Sequence, residues 1–299
     1  MIRKLNVMIP CRDRNILTGK CIDSIWKNSV LFDKINIYVF DNKSDMSEDR
    51  LKMFSYMLET KKIQYYSYDT DISLLNSFGK AIVFNRWLDM MKFEHDMVNS
   101  IYDLHKTPTK DYYLLIDNDF IVGKQWDEYF ISALDVIENY NKDCKFLVCW
   151  PGGIPGRAQN VPIQTIGNLF KEGETFGIRS TNAGGASGFW FFSYEMSRAL
   201  RWEQVDLDRV YNISKRHDTC TWNMLRRKFG PIKYVTGIIP PVDKPVALHI
   251  GSQCGSLCNQ LKKHTYDEAK LSIKEAELKF KDMSCDEIFE QYKTVANRW

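Results

Sequence analysis

This 299-residue chain has no run of about 18 consecutive apolar residues, so none of it is suited to cross a bilayer as a helix. It has no excess of one charge either. Forty-one basic residues stand against 38 acidic ones, a net charge of +3, which argues against a dedicated nucleic-acid coat or a strong membrane-surface binder and leaves only local patches open. No G-x-G-x-x-G follows the first apolar run, which removes the fingerprint of a dinucleotide-dependent oxidoreductase. The opening "MIRKLNVMIP" is too short, and lacks the small-residue cleavage site, for a secretory leader; it reads as a first β-strand. There is no CxxC pair, and the eight cysteines show no small-domain framework, so the expectation is reduced thiols in a cytoplasmic protein. His249, Cys254, Cys258 and His264 form one cluster of soft ligands. It is either a structural zinc site or, the reading preferred, a set of packing cysteines.

What is present is an ordinary globular composition, 44% hydrophobic and 26% charged, with enough chain for one large core. Aromatic residues reach 13%, which suits a planar or sugar-like ligand. Short apolar runs at 5–9 ("LNVMI"), 35–40 ("INIYVF"), 63–66 ("IQYY") and 112–116 ("YYLLI") read as buried strands. Between them, "GKCIDSIWKNS", "MSEDRLKMFSYMLETKK" and "SFGKAIVFNRWLDMMKFEHDMV" carry helical periodicity. That alternation predicts a parallel sheet with helices on both faces. Further strands are expected at 145–150 and 188–193 and around "IKYVTG", with a helix over "DTCTWNMLRRKF" and loops across 157–182. From Tyr266 onward Ala269, Ile273, Ala276 and Phe280 recur at helical spacing, which predicts an amphipathic helix packed on the body.

Ligands of such sheets bind outside the C-terminal ends of the strands, and that is where the polar residues fall. "PCRDR" follows the first run, "DNKSD" the second and "DND" the fourth. Asp41, ending the second strand, can accept hydrogen bonds from a ribose hydroxyl or a uracil imide. Asp117 and Asp119 sit two apart. In an extended chain they point the same way; in a turn they can pinch one ion, and carboxylate oxygens suit Mg²⁺ or Mn²⁺ bridging to nucleotide phosphates. The plainer reading is that Asp and Asn form turns.

"LNVMIPCRDR", "CIDSIWKNS", "INIYVFDNKSD", "FGKAIVFNRWLD" and "YYLLIDNDF" resemble, in order and spacing, the successive blocks of GT-A fold nucleotide-sugar glycosyltransferases of the family-2 type. The resemblance spans roughly residues 5 to 250 and is looser in its second half. It implies a GT-A Rossmann-like, mostly parallel α/β domain over 1–250, with a nucleotide-binding half (1–120), an acceptor half (121–250) and a C-terminal helical extension (251–299). It places Pro10, Arg12 and Asp41 around the nucleoside, Asp117 and Asp119 on the metal and ribose, and Gly184, Gly185 and Gly188 where backbone approaches donor sugar and acceptor. His249 would complete the metal shell, an imidazole that shifts preference toward Mn²⁺. "RHDTCTWNML" resembles the segment that supplies a general base, here Asp218, although His217 stands where the family has a glutamate and Asp218 can equally be an N-cap.

The activity so implied is metal-dependent transfer of a sugar from a nucleoside diphosphate, UDP favoured, to a hydroxyl acceptor, with inversion. Modified bases of DNA are the alternative acceptor, and a non-catalytic nucleotide-sugar or glycan-binding module the alternative class. A sugar-phosphate nucleotidyltransferase lacks support, since "IPCRDRNILTGK" is no Gly-rich phosphate loop. Lys215, Arg216, Arg226, Arg227, Lys228 and Lys233 form a basic cluster, either a clamp for an anionic acceptor or a solvated helix face.

Overall fold

The computed structural model describes residues 2–42, 44, 47–60, 63–68, 78–101, 109–140, 146–149, 163–171, 174–181, 188–199, 235–238, 246–251 and 265–293. Side-chain alternation builds its main sheet. β1 (Ile2–Cys11) sends Leu5, Val7 and Ile9 to one face and Met8 to the other. β2 (Lys34–Asn42) divides the same way, Ile37 and Val39 against Tyr38 and Phe40. In β4 (Thr109–Ile116) Tyr112, Leu114 and Ile116 oppose Tyr113 and Leu115. Strands buried on both faces read as unbroken apolar runs, which is why the sequence marked them.

Helices cover both faces. α1 (Asn15–Asn28), α2 (Glu48–Thr60) and α4 (Trp126–Tyr140) close the first through Cys21, Ile25, Phe54, Met57, Trp126 and Phe130. On the second face α3 (Phe78–Ile101) lays down Phe84, Trp87, Leu88 and Met91, the i, i+3, i+4, i+7 stripe of a surface helix. Trp87 is fully buried there, and truncating it would cost about 3–5 kcal/mol.

Adding β3 (Gln64–Tyr68), β6 (Phe146–Cys149), β9 (Phe189–Ser193) and β10 (Val235–Ile238) completes seven strands in the order β10-β6-β9-β4-β1-β2-β3. All neighbours run parallel except β9, which is antiparallel to both β4 and β6. The expected mostly parallel α/β sheet is therefore present, with one reversed strand that the sequence did not announce. Aromatic stacking favours that pairing: Tyr112 on Phe191 and Tyr113 on Phe192, both at 5.6 Å between centroids. A short α5 (Tyr194–Ala199) follows β9 directly.

Register aligns the functional edge. Cys11 lies opposite Asp41 and Met8 opposite Leu115, so the C-terminal tips of β1, β2 and β4 share one rim. β9 starts at that rim, with Phe189 opposite Ile116. Beyond it, β5 (Phe120–Val122) pairs antiparallel with β11 (Ala247–His249) in a separate ribbon.

Part of the stretch expected as loop is instead a hairpin, β7 (Ile163–Lys171) with β8 (Glu174–Thr181). Its Thr, Ile and Phe residues have strand propensity, outweighed in the sequence reading by the flanking Gly and Pro. The expected tail helix is α6 (Tyr266–Leu278), and a further helix, α7 (Cys285–Tyr292), follows it. Each opens with a capping box, Thr265 with Glu268 and Ser284 with Glu287. Ile273 of α6 is buried. Phe280, Cys285 and Ile288 join Leu17, Ile121, Leu248 and Ile250 in one cluster, which seals α7 and the end of α6 against α1 and the ribbon. Among the described residues no helix is long and apolar enough to cross a membrane.

Candidate active site

The chain turns directly after β4. The Phe120 N–H donates to the Asp117 carbonyl (3.2 Å), and the Asp117 N–H donates to the Gly188 carbonyl (2.8 Å). Of the three polar residues in this turn, Asn118 is the anchor: it is buried, and its Nδ2 donates to Thr18 Oγ1 of α1 (3.0 Å).

Asp119 is 6% exposed and meets two cationic side chains that lie far away in sequence. Its Oδ2 is ion-paired with Arg14, and its Oδ1 lies 3.3 Å from His249 Nε2. That Oδ1 is buried and, among the described residues, its close polar neighbour is the His249 imidazole. The ribbon causes the meeting. His249 sits opposite Phe120 in the β5–β11 register, the Ile250 N–H donates to the Asp119 carbonyl (2.9 Å), and the His249 ring stacks on Phe120 at 4.6 Å. Burial alone would raise the Asp119 pKa, but His249 and Arg14 reverse this and hold the carboxyl well below the usual carboxylate range. For His249 burial disfavours the cation, yet Asp119 and then Asp117 outweigh it and raise the imidazole pKa.

Two glycines make room for these carboxylates. A Cβ on Gly188 would come within 3.1 Å of Asp117 Oδ2 and 2.9 Å of Phe120 Cε2. One on Gly251 would sit 1.9 Å from Asp119 Oδ2. Gly188 thus leaves room for Asp117 and Phe120.

Arg14 reaches Asp119 from an unusual turn. Asp13 and Arg14 both hold left-handed backbone, φ 52° and 54°, a conformation costing roughly 1–2 kcal/mol for each non-glycine residue. Local bonds hold it: the Asp13 N–H donates to Ser44 Oγ (2.6 Å), and Thr18 Oγ1 donates to the Arg14 carbonyl (2.7 Å).

Asp41 lies at the β2 tip as expected, 1% exposed, but its carboxylate faces a protein network. Arg50, itself fully buried, pairs with Oδ1 at 2.8 Å, where Ser44 Oγ and Cys11 Sγ also donate; Tyr65 OH donates to Oδ2. Arg50 additionally donates to Asn15 Oδ1 and lies over the Phe54 ring. Burial and then the Asp41 contact raise the Tyr65 pKa, so the phenol stays a donor. A buried carboxylate with this many donors is rigid.

Pro10 lies on β1 opposite Phe40, and Arg12 is half-buried in the turn that follows. Gly184, Gly185, His217, Asp218, the basic cluster from Lys215 to Lys233, and Cys254, Cys258 and His264 all lie outside the described residues. Cys11, Cys21 and Cys285 are free and buried. Among the described residues no three His, Cys, Asp or Glu side chains form a ready cation cage. The acceptors nearest to one are Asp119 Oδ1 and His249 Nε2, with Asp117 close enough to act on the imidazole charge.

No family model and no curated protein matches this chain. Among solved structures it is similar to S. aureus TarS, at TM-score 0.47 and 12% identity over 96% of this chain and 45% of that one. This chain therefore spans less than half of that structure's length. It is also similar to residues 1–349 of S. aureus TarS in complex with UDP-GlcNAc (TM-score 0.44, 13% identity, 98% of this chain and 78% of that one). A third is glucosyl-3-phosphoglycerate synthase from Mycobacterium tuberculosis in complex with Mg²⁺ and UDP (TM-score 0.45, 12% identity, 93% and 79%).

Arg14, Arg50, Tyr65 and Gly251 are the site residues that sequence reasoning passed over. The second Arg of "PCRDR" and the Gly after "LHI" were visible in the sequence, but nothing local ties either to Asp119.

Proposed function

We propose that this chain is a metal-dependent glycosyltransferase that moves a sugar from a nucleoside-diphosphate donor, UDP favoured, to a hydroxyl acceptor. The observation carrying the reading is Asp119: a buried carboxylate at the C-terminal tip of a central strand, with one oxygen that faces only an imidazole, at 3.3 Å, among the described residues. A buried carboxylate oxygen is costly unless cations or donors surround it, and oxygen and imidazole ligands together suit Mn²⁺ or Mg²⁺. Asp117, Asp119 and His249 are the ligands proposed. A bound divalent ion would supply Lewis-acid stabilisation of the charge that develops on the departing diphosphate.

The chain's own groups do the rest. Arg14 holds Asp119 by ion pairing and keeps a guanidinium beside the site where leaving-group charge builds. Asp41, fixed by Arg50 and Tyr65, would shape the nucleoside end of the site from beneath, with Pro10 and Arg12 framing that end. Gly185 would let backbone approach the donor sugar. Asp218 would take the acceptor hydroxyl proton as the oxygen attacks, giving inversion. Buried free thiols at Cys11, Cys21 and Cys285 fit a reducing, cytoplasmic setting.

The deciding experiment is calorimetric titration of UDP with and without Mn²⁺ into the wild type and Asp119→Ala. Binding that requires the metal and disappears in the variant supports the reading. Failure of UDP, GDP, CDP and TDP alike, with or without metal, would reduce the turn after β4 to a structural feature.

A further inference from the structure

Within itself α1 carries no side-chain cap. Its N-cap position is Arg14, whose guanidinium has no acceptor to offer, and its first turn holds no acidic residue. The cap comes instead from α6. Glu277 is 3% exposed, and its Oε1 accepts the N–H of Leu17, the third residue of α1, at 2.9 Å. A carboxyl group there answers an orphan donor and sits at the positive end of the helix dipole. Its neighbours along the chain hold it in place: Ile273, four residues before, and Phe280, three after, are both buried, and Phe280 shares a cluster with Leu17 itself. Burial pushes the Glu277 pKa up to about 7, yet acid and carboxylate alike have an oxygen that accepts an N–H, so the cap survives protonation.

What this cap fixes is the turn that supplies the site. Asp13 and Arg14 enter α1 in left-handed backbone, and Arg14 pairs with Asp119. Two such non-glycine residues in succession persist only where their surroundings hold them. The Asp13 N–H on Ser44 Oγ and the Thr18 hydroxyl on the Arg14 carbonyl brace the turn from the first half of the chain. The Leu17 N–H on Glu277 braces it from the C-terminal segment. Without that bond the first turn of α1 is free to unwind toward ordinary backbone, which draws Arg14 away from Asp119.

We propose that Glu277 is a positioning residue for the donor site: capping α1 from α6, it fixes the Asp13–Arg14 turn and thereby the guanidinium that Arg14 sets against Asp119. The role rests on the glycosyl-transfer reading above. It makes α6, which the sequence announces only as a helix packed on the body, part of the site's construction. A role confined to fastening α6 onto α1 would cost stability alone. A positioning role also changes affinity for the donor, and does so through Arg14.

The test is calorimetric titration of UDP with Mn²⁺ into the full chain as wild type, Glu277→Ala, Glu277→Gln, Arg14→Ala and the Arg14→Ala/Glu277→Ala double variant. Glu277→Ala should weaken metal-dependent UDP binding about fivefold, the scale of one lost helix cap. Glu277→Gln keeps an acceptor oxygen and should restore binding to near the wild-type level. On top of Arg14→Ala, Glu277→Ala should change nothing further. If Glu277→Ala does not fold, Glu277→Leu takes its place, filling the buried space without an acceptor. Unchanged UDP affinity in the folded variant that lacks the acceptor, or an equal loss in the Arg14→Ala background, overturns the proposal and leaves Glu277 a staple between α6 and α1. Amide hydrogen exchange without ligand gives a second reading: Asp13 and Leu17 should exchange faster in that variant, while Ile288 of α7 keeps its wild-type rate. A wild type that binds no UDP removes the donor reading. Unchanged exchange at Asp13 and Leu17 then overturns the hold on the turn as well, and faster exchange supports it.

Discussion

Replacing Gly251 by alanine tests the site's construction most directly. The added Cβ would lie 1.9 Å from Asp119 Oδ2, 2.6 Å from its Cγ and 3.0 Å from an Arg14 nitrogen. The ribbon cannot simply slide away, because Ile250 is bonded to the Asp119 carbonyl and Leu248 and His249 are in register with Ile121 and Phe120. Two escapes remain. Asp119 can rotate off Arg14, and breaking a buried pair costs about 3–5 kcal/mol. Alternatively β11 can shift, at the roughly 1–3 kcal/mol typical of overpacking. The protein takes the cheaper mixture, so Gly251→Ala should destabilise by about 2–3 kcal/mol, a large share of a total near 5–15 kcal/mol. Urea unfolding followed by circular dichroism reads this directly. The same substitution in an Asp119→Ala background should cost at least about 1 kcal/mol less, since the clashing atoms are gone. A single-variant loss under about 0.5 kcal/mol, or no relief in the Asp119→Ala background, refutes the argument.

Arg50→Ala should cost about 3–5 kcal/mol by stranding the buried Asp41 carboxylate, whereas Asp41→Asn with Arg50→Met together should cost less than the two separately; additive losses in urea titrations would contradict the network. Glu277 sets a pH dependence. Its pKa rises from 4.5 to about 7 on folding because burial disfavours the carboxylate, so the folded state holds the extra proton between those values and stability falls as pH rises across that window. Glu277→Gln should flatten that slope and gain up to about 3 kcal/mol at pH 8, and parallel stability curves for the two proteins from pH 5 to 8 would contradict it. His249→Ala should weaken Mn²⁺ binding in the presence of UDP. In the wild type that binding should tighten as pH rises through the raised imidazole pKa, because only neutral imidazole is a ligand; pH-independent Mn²⁺ affinity by calorimetry would exclude His249 from the shell.

What could be read locally was read because it is written locally. Unbroken apolar runs of strand length mark burial on both faces, so β1, β2 and β4 were legible, as were the helices between them and the polar residues at their tips. The spacing of Ala269, Ile273 and Phe280 likewise marked α6. Asp-x-Asp could be recognised as a strand-tip feature, but not the division of labour within it, where Asn118 anchors the turn to α1 and Asp119 faces the site.

Tertiary structure decided everything that depends on partners distant in sequence. The sequence marks β9 as a strand; its reversed direction shows only in its antiparallel pairing with β4 and β6. His249 stands beside Asp119 because β11 pairs with β5, and Glu277 caps α1 from 260 residues away. Gly251 must lack a side chain only because a carboxylate from another strand occupies the space. Hydrophobic periodicity is a property of one segment and survives in its sequence. A buried ion pair, a close approach or a cap lent by one helix to another belongs to two segments at once, and neither segment alone carries its signature.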